Sequence, residues 1–163
     1  MIGHLLGDGS INYDKTSITF TFILSFNKFD YFWKSFDLLS YLYESIPNLN
    51  TSRRKDKLKN NSYYITRSYL FLKQLHNLFY KDINGKFIKF ISDDLILNLT
   101  PRVLTFLFMD DGSNAKLGYY LHTKNIFIFE DIYKLTGMLH YSFDLNVTVQ
   151  NHANRPVIYI RAK

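Results

Sequence analysis

The sequence predicts an α+β protein made of two similar halves, each built from antiparallel strands and helices. Three observations carry that expectation. An apolar run ending in acid, glycine and serine occurs twice, in Met1-Ile-Gly-His-Leu-Leu-Gly-Asp-Gly-Ser10 and in Leu104-Thr-Phe-Leu-Phe-Met-Asp-Asp-Gly-Ser113. The first copy leads into a stretch that alternates apolar and polar residues, the pattern of a half-buried strand. The order of helical and alternating segments then repeats after the second copy, which marks an internal duplication at the level of elements.

The elements follow in order. Residues 1–7 read as a helix stopped by Asp8-Gly9, and Gly3 and Gly7, four apart, share one face that another helix can approach closely. Ser17, Thr19 and Thr21 alternate with Ile18, Phe20 and Phe22 in a strand, with a hairpin turn expected at Asn12-Tyr-Asp-Lys15. Residues 28–43 form an amphipathic helix whose buried stripe is Phe29, Phe32, Phe36, Leu39 and Tyr43. Residues 51–68 form a strand pair with its turn at Asn60-Asn61, and residues 69–80 a further helix. The first half, residues 1–81, thus reads α-ββ-α-ββ-α. Residues 82–99 are the connector, a loop that follows Lys81 and passes into irregular, partly helical structure. Thr100-Pro101 opens the second half, residues 100–163, as N-cap and first-turn proline. A strand at 117–123, a helix at 127–143 and a hairpin at 147–161 complete it, with no counterpart to the first half's last helix.

The bulk properties narrow the function. The 163 residues suit one compact domain or two fused halves. Apolar residues make up 47%, enough for a core, and the 15 Phe and 13 Tyr are expected there. A net charge of +6 points to nucleic acid or an anionic surface. There is no cysteine, which excludes disulfides and thiolate zinc sites. No apolar stretch reaches the ~18 residues of a membrane span, and no signal-peptide pattern opens the chain. Abundant Asn, Ile, Phe, Tyr and Lys, all with A/T-rich codons, point to an A/T-rich genome such as a mitochondrial one.

The repeated acid carries the chemistry. Two helices ending in Asp8 and Asp111 can pack side by side and bring two carboxylates together. Such a pair repels unless a cation lies between them. Mg²⁺, which takes one or two carboxylates and borrows phosphate oxygens, suits it, and with a basic surface the reading becomes metal-dependent phosphodiester cleavage.

Gly3-His-Leu-Leu-Gly-Asp-Gly-Ser10 and Leu99-Thr-Pro-Arg-Val-Leu-Thr-Phe-Leu-Phe-Met-Asp-Asp-Gly-Ser113 both resemble the LAGLIDADG motif. The chain is similar to two-motif LAGLIDADG homing endonucleases of organellar group I introns, over nearly its whole length including Pro156-Val-Ile-Tyr-Ile160. That resemblance implies a pseudo-dimeric monomer of two αββαββα repeats with saddle-shaped antiparallel sheets, the motif helices forming the central interface. It implies divalent metal, Mg²⁺ or another, at Asp8 and Asp111, with the Gly7 and Asp110 main chain beside it, and site-specific cleavage of double-stranded DNA. Lys89, within Lys89-Phe-Ile-Ser92, matches a family lysine that assists water or the developing charge. Against the family pattern, the chain begins inside the first motif helix and ends before the last helix, so the second repeat is expected to lack that helix.

The sheets are expected to face the groove through Asn12, Lys15, Thr19, Arg53, Lys55, Lys57, Arg67, Lys116, Asn151, Asn154 and Arg155, some reading base edges and others holding phosphates. His4 is expected to pack or cap; His122 or His152 could touch DNA, and no histidine is assigned to metal. A second reading keeps the scaffold but changes the partner: an intron maturase or a recruited ribosomal or other ribonucleoprotein component, binding structured RNA. A third is a DNA-binding regulator that does not cut.

Overall fold

In a computed structural model, the two expected repeats are two four-stranded antiparallel sheets with matching strand orders. The structure describes residues 1–14, 16–54, 57–122, 127–152 and 155–162, without the side chains of 52–59. The first half runs α1 (Ile2–Leu6), β1 (Gly9–Tyr13), β2 (Ile18–Ser25), α2 (Phe29–Leu39), β3 (Asn48–Arg54), β4 (Lys57–Ile65) and α3 (Phe71–Phe79). A hairpin of β5 (Tyr80–Ile83) and β6 (Lys86–Lys89) follows, then a 3₁₀ segment, Asp93–Asn98. The second half runs α4 (Pro101–Asp111), β7 (Gly112–Ala115), β8 (Gly118–His122), α5 (Phe129–Phe143), β9 (Val147–His152) and β10 (Arg155–Arg161). The sheet orders are β1-β2-β4-β3 and β7-β8-β10-β9.

The alternation in β2 does what its period dictates. Ile18, Phe20, Phe22 and Leu24 are buried on the helix side, while Ile23 and Ser25 are exposed on the other. α4 starts where its sequence says, with the Thr100 hydroxyl accepting from the Val103 N–H at 3.2 Å and Pro101 at its first position. α1 and α4 pack at close range. A Cβ on Gly3 would lie 2.5 Å from the Val103 carbonyl oxygen, and one on Gly7 2.6 Å from Asp110 Cβ. Glycine at both places is therefore what lets the two helices touch. One continuous core holds Leu5, Phe20 and Phe22 of the first half together with Leu107, Leu121, Leu139 and Ile158 of the second.

Several local expectations are corrected. The connector is not irregular throughout: Asn84 (φ 55°) and Gly85 (φ 77°) turn the β5–β6 hairpin, both in the left-handed region that a two-residue hairpin turn uses. Asn60 and Asn61 do not form a turn. They lie inside β4 opposite Thr51 and Asn50, and the strands reverse between Arg54 and Lys57. The Asn60 amide oxygen accepts from the Thr51 hydroxyl across the strands at 3.1 Å, so its polarity is satisfied without bending the chain. Asn12 and Tyr13 belong to β1, and the turn is built on Asp14, whose carboxylate accepts from the Thr16 and Ser17 N–H groups at 2.8 Å each. These bonds, backbone first, hold the Asp14 pKa down at about 2. The stripe expected over residues 28–43 holds at Phe32, Phe36, Leu39 and Tyr43, which lie in or against the core, but Phe29 is exposed beside Trp33 and Ser35 is buried. Other aromatics also lie outside the core, Tyr41, Phe129, Tyr133 and Tyr141 among them.

Candidate acid cleft between the two motif helices

Both motif helices deliver their acids to one place. A cleft of about 410 Å³ is lined by Asp8, Asp110 and Asp111, with Leu24, Ser25, Lys28 and His122 around them. Asp8 follows α1, Asp111 closes α4, and the α1–α4 packing permitted by Gly3 and Gly7 sets them on a common rim. A larger cavity of about 500 Å³ beside β7, β8 and β10 is lined mainly by apolar side chains such as Leu104, Phe108 and Ile160 and by no acid. The smaller cleft is therefore the place for charge chemistry.

Both acids of the second motif are buried, Asp111 at 5% exposed. Asp110 is 3% exposed and its carboxylate turns inward. It pairs with His4 Nδ1 at 3.1 Å and accepts from the Tyr31 hydroxyl and, at 3.3 Å, from the Asp8 backbone N–H. Ser35 Oγ continues the network, bridging His4 Nε2 and the Tyr64 hydroxyl at 2.8 Å each. Burial, and then the neighbouring Asp110 charge, hold the Tyr31 phenol above its ordinary pKa, so it stays a donor. The carbonyl of Asp110, expected beside a metal, accepts from Lys28 Nζ at 2.7 Å, and Met109 O accepts from the same ammonium at 3.1 Å. The Gly7 main chain closes α1, its N–H donating to Gly3 and His4 carbonyls.

Asp8 and Asp111 line the cleft with Asp110, and their carboxylates could hold a cation there. Among the described residues no group of three or more His, Asp or Glu is arranged for a metal. Two hard oxygen donors that leave room for water and phosphate suit Mg²⁺, which rarely takes an all-protein cage. Lys89 Nζ donates to the carbonyl of Gly9, the residue after Asp8, at 3.0 Å and lies 5.8 Å from the centroid of the Phe127 ring. Two cleft residues had little or no sequence signal. Lys28 is separated from Met109 by 81 positions and only tertiary packing joins them. His122, considered as a DNA contact, sits at the cleft with its Nε2 2.7 Å from the Ser113 hydroxyl.

The expected groove-facing residues divide. Asn12 and Thr19 pair in register, and the Asn12 amide donates to the Thr21 hydroxyl at 2.9 Å. Register extends that polar row through Thr21 and Ser25 to Asn61 and Asn50. Arg67 lies beyond β4, its guanidinium 3.9 Å from Glu44 on the surface. Lys116 is exposed between β7 and β8. Arg155 pairs with His152, whereas Asn151 pairs with Pro156 in the alternate row that includes Ile158 and Ile160. Tyr120, Tyr159, Thr148 and His152 therefore occupy the row of Arg155, so that Tyr120, Thr148 and Tyr159 join the expected Arg155 and His152 on one polar aromatic face. Lys15, Lys55 and Asn154 lie outside the described residues, and Arg53 and Lys57 are described in backbone only, paired with Leu58 and Arg54.

The comparisons with known proteins agree with this fold. A family model described as the LAGLIDADG DNA endonuclease family matches residues 1–163. A probable intron-encoded endonuclease 1 of Wickerhamomyces canadensis is 38% identical over 84 residues, 46% of this chain and 36% of that protein. The cytochrome b mRNA maturase bI2 of Saccharomyces cerevisiae is 30% identical over 156 residues, 90% of this chain and 36% of that protein. The chain thus spans 36% of the length of each relative. The solved structure of the homing endonuclease I-WcaI bound to its DNA recognition sequence superposes with a TM-score of 0.85 at 28% identity, covering 98% of this chain and 73% of that one.

Proposed function

The chain belongs to the LAGLIDADG DNA endonuclease family, and from that premise we propose that it acts as a site-specific double-strand DNA endonuclease of the intron-homing type. The observation that carries this reading is the meeting of Asp8 and Asp111 in one cleft, from equivalent places in two repeats flanked by equivalent sheets. In this reading residues 1–81 and 100–163 each serve one half of a duplex target, as a pseudo-dimeric monomer. Asp8 and Asp111 would hold the divalent cation, Mg²⁺ or another. When bound, such an ion stabilises charge developing at phosphorus and lowers the pKa of water.

The protein's own groups take the remaining roles. Lys89 and Lys28 place ammonium groups near Asp8 and Asp110, where they offset phosphate charge. The row Asn12, Thr19, Asn61 on one sheet and Tyr120, His152, Arg155 on the other offers donors and acceptors to base edges. Arg67 and Lys116 suit phosphates. A mitochondrial location is supported by the A/T-rich residue usage and by similarity to a protein named as a cytochrome b mRNA maturase.

That maturase aligns over 90% of the chain, and it favours a second reading, in which the same surfaces bind a structured intron or ribosomal RNA. The test is cleavage of a randomised duplex library with Mg²⁺ by wild type, Asp8→Asn and Asp111→Asn. Mg²⁺-dependent double-strand cuts that vanish in both variants are expected. No cleavage together with tight binding of a structured RNA would replace the nuclease reading with the maturase one.

A further inference from the structure

We propose that Asp110 is a positioning residue for Asp8: the second motif supplies a buried carboxylate that fixes the main chain of the first motif's acid, whereas the first motif has glycine, Gly7, at the equivalent position. This rests on the nuclease reading only for its kinetic arm.

Asp8 aligns with Asp111 between the two motif copies, so Asp110 aligns with Gly7. These two residues face each other at the helix contact, where a Cβ on Gly7 would meet Asp110 Cβ at 2.6 Å and its Oδ2 at 2.7 Å. The second helix thus projects a carboxylate into space that the first helix leaves empty. A glycine has no side chain to return the favour.

The carboxylate is costly to bury without partners, and it has them in number. The Asp8 N–H, the Tyr31 hydroxyl and His4 surround it, and Ser35 and Tyr64 support His4 from behind. All except Asp110 belong to the first half. Through one side chain the second half therefore grips α1, α2 and Asp8 together, and β4 is joined through His4 and Ser35. Asp8 inherits that rigidity directly, because its own backbone N–H is one of the contacts. A carboxylate that serves a cation must be held to a fraction of an ångström, and partners one bond removed from a ligand are what hold it.

The consequence is asymmetry between the two strands of a target. Loss of Asp110 should loosen the Asp8 side and spare the Asp111 side. The experiment uses Asp110→Ala, Asp110→Asn and Tyr31→Phe in the full chain, the last keeping the carboxylate while removing one support. Nicking of each strand of an end-labelled duplex target is followed over a range of Mg²⁺ concentrations, and hydrogen exchange at the Asp8 and Asp111 amides is measured without DNA. We expect Asp110→Ala to slow one strand by roughly 10- to 100-fold with a raised Mg²⁺ requirement, the other strand changing far less. Asp110→Asn, which keeps an oxygen for the Asp8 N–H, should recover part of the loss, and Tyr31→Phe should share its direction.

Exchange at the Asp8 amide should quicken by about fivefold or more, the worth of an ordinary hydrogen bond, with Asp111 unchanged. Equal slowing of both strands, or equal exchange changes at both amides, overturns the proposal and leaves Asp110 a packing group. If the wild type cuts no duplex, the nuclease reading fails by itself and the amide exchange decides the positioning role. If Asp110→Ala does not fold, Tyr31→Phe decides it by the same two measurements.

Discussion

Replacing Gly3 by alanine tests whether the close α1–α4 contact is real. The new Cβ would lie 2.5 Å from the Val103 carbonyl oxygen, 2.6 Å from Phe106 Cβ and 3.3 Å from the Leu107 nitrogen. Comfortable carbon contacts begin near ~3.5 Å. Two of the three obstructing atoms are backbone and cannot swing aside, so the helices must part by about 1 Å. Leu5 and Leu107, 0% and 3% exposed, pack in the core beside this seam and lose contacts as it opens. Overpacking costs roughly 1–3 kcal/mol, and a rigid backbone obstacle puts this site at the upper end. Alanine's helix propensity returns about 1 kcal/mol. The net expectation is a loss of about 2 kcal/mol, or about 4–8 °C in Tm for a chain of this size.

Gly137 supplies the control. It lies in α5 with nothing within 4 Å of an added Cβ. Gly137→Ala therefore meets only the propensity term and should stabilise by about 1 kcal/mol, about 2–4 °C. Urea unfolding of the two variants beside wild type measures both signs. If Gly3→Ala is as stable as wild type while Gly137→Ala gains, the interhelical contact is not as close as described and the reasoning fails.

Three further outcomes are expected. Asp131→Ala removes the carboxylate that accepts from the Ile91 N–H at 3.1 Å in a buried place, joining α5 to the connector; the orphaned N–H should cost about 1–3 kcal/mol in urea unfolding. Phe22→Ala empties a fully buried site between His4, Phe32 and Tyr64 and should cost about 3–5 kcal/mol by the same measurement. His76 is buried, and desolvation lowers its pKa below the ordinary value of 6.5. The unfolded chain then binds its proton first as pH falls, so stability is full above about pH 6.5 and declines as pH drops from there towards the folded pKa. His76→Phe, which keeps ring packing against Tyr80 and Phe87, should flatten that part of the stability–pH curve relative to wild type.

Much of the fold was legible because its signals are local. Alternation in β2 named the buried Phe20 and Phe22, and Thr100-Pro101 named the start of α4. The β5–β6 hairpin carried a local signal in Asn84-Gly85, a strong turn pair, that the expectation of an irregular connector left out. The turn misplaced at Asn60-Asn61 shows the opposite case. Asparagine favours turns through its own backbone, yet here a cross-strand hydroxyl satisfied it.

By itself the sequence determined the duplicated element order, the two acid-ended helices and the glycines that let them meet. Each of these follows from local periodicity and from what glycine, proline and threonine do to their own backbone. Only the tertiary structure showed what Asp110 touches. Asp110 and Asp111 are neighbours of identical chemistry, and nothing local distinguishes them. Packing turns Asp110 inward onto His4 and Tyr31 and brings Lys28 across 82 positions to its carbonyl. Hydrogen-bond partners so distant in sequence are set by how the halves dock, and docking is a property of the folded core.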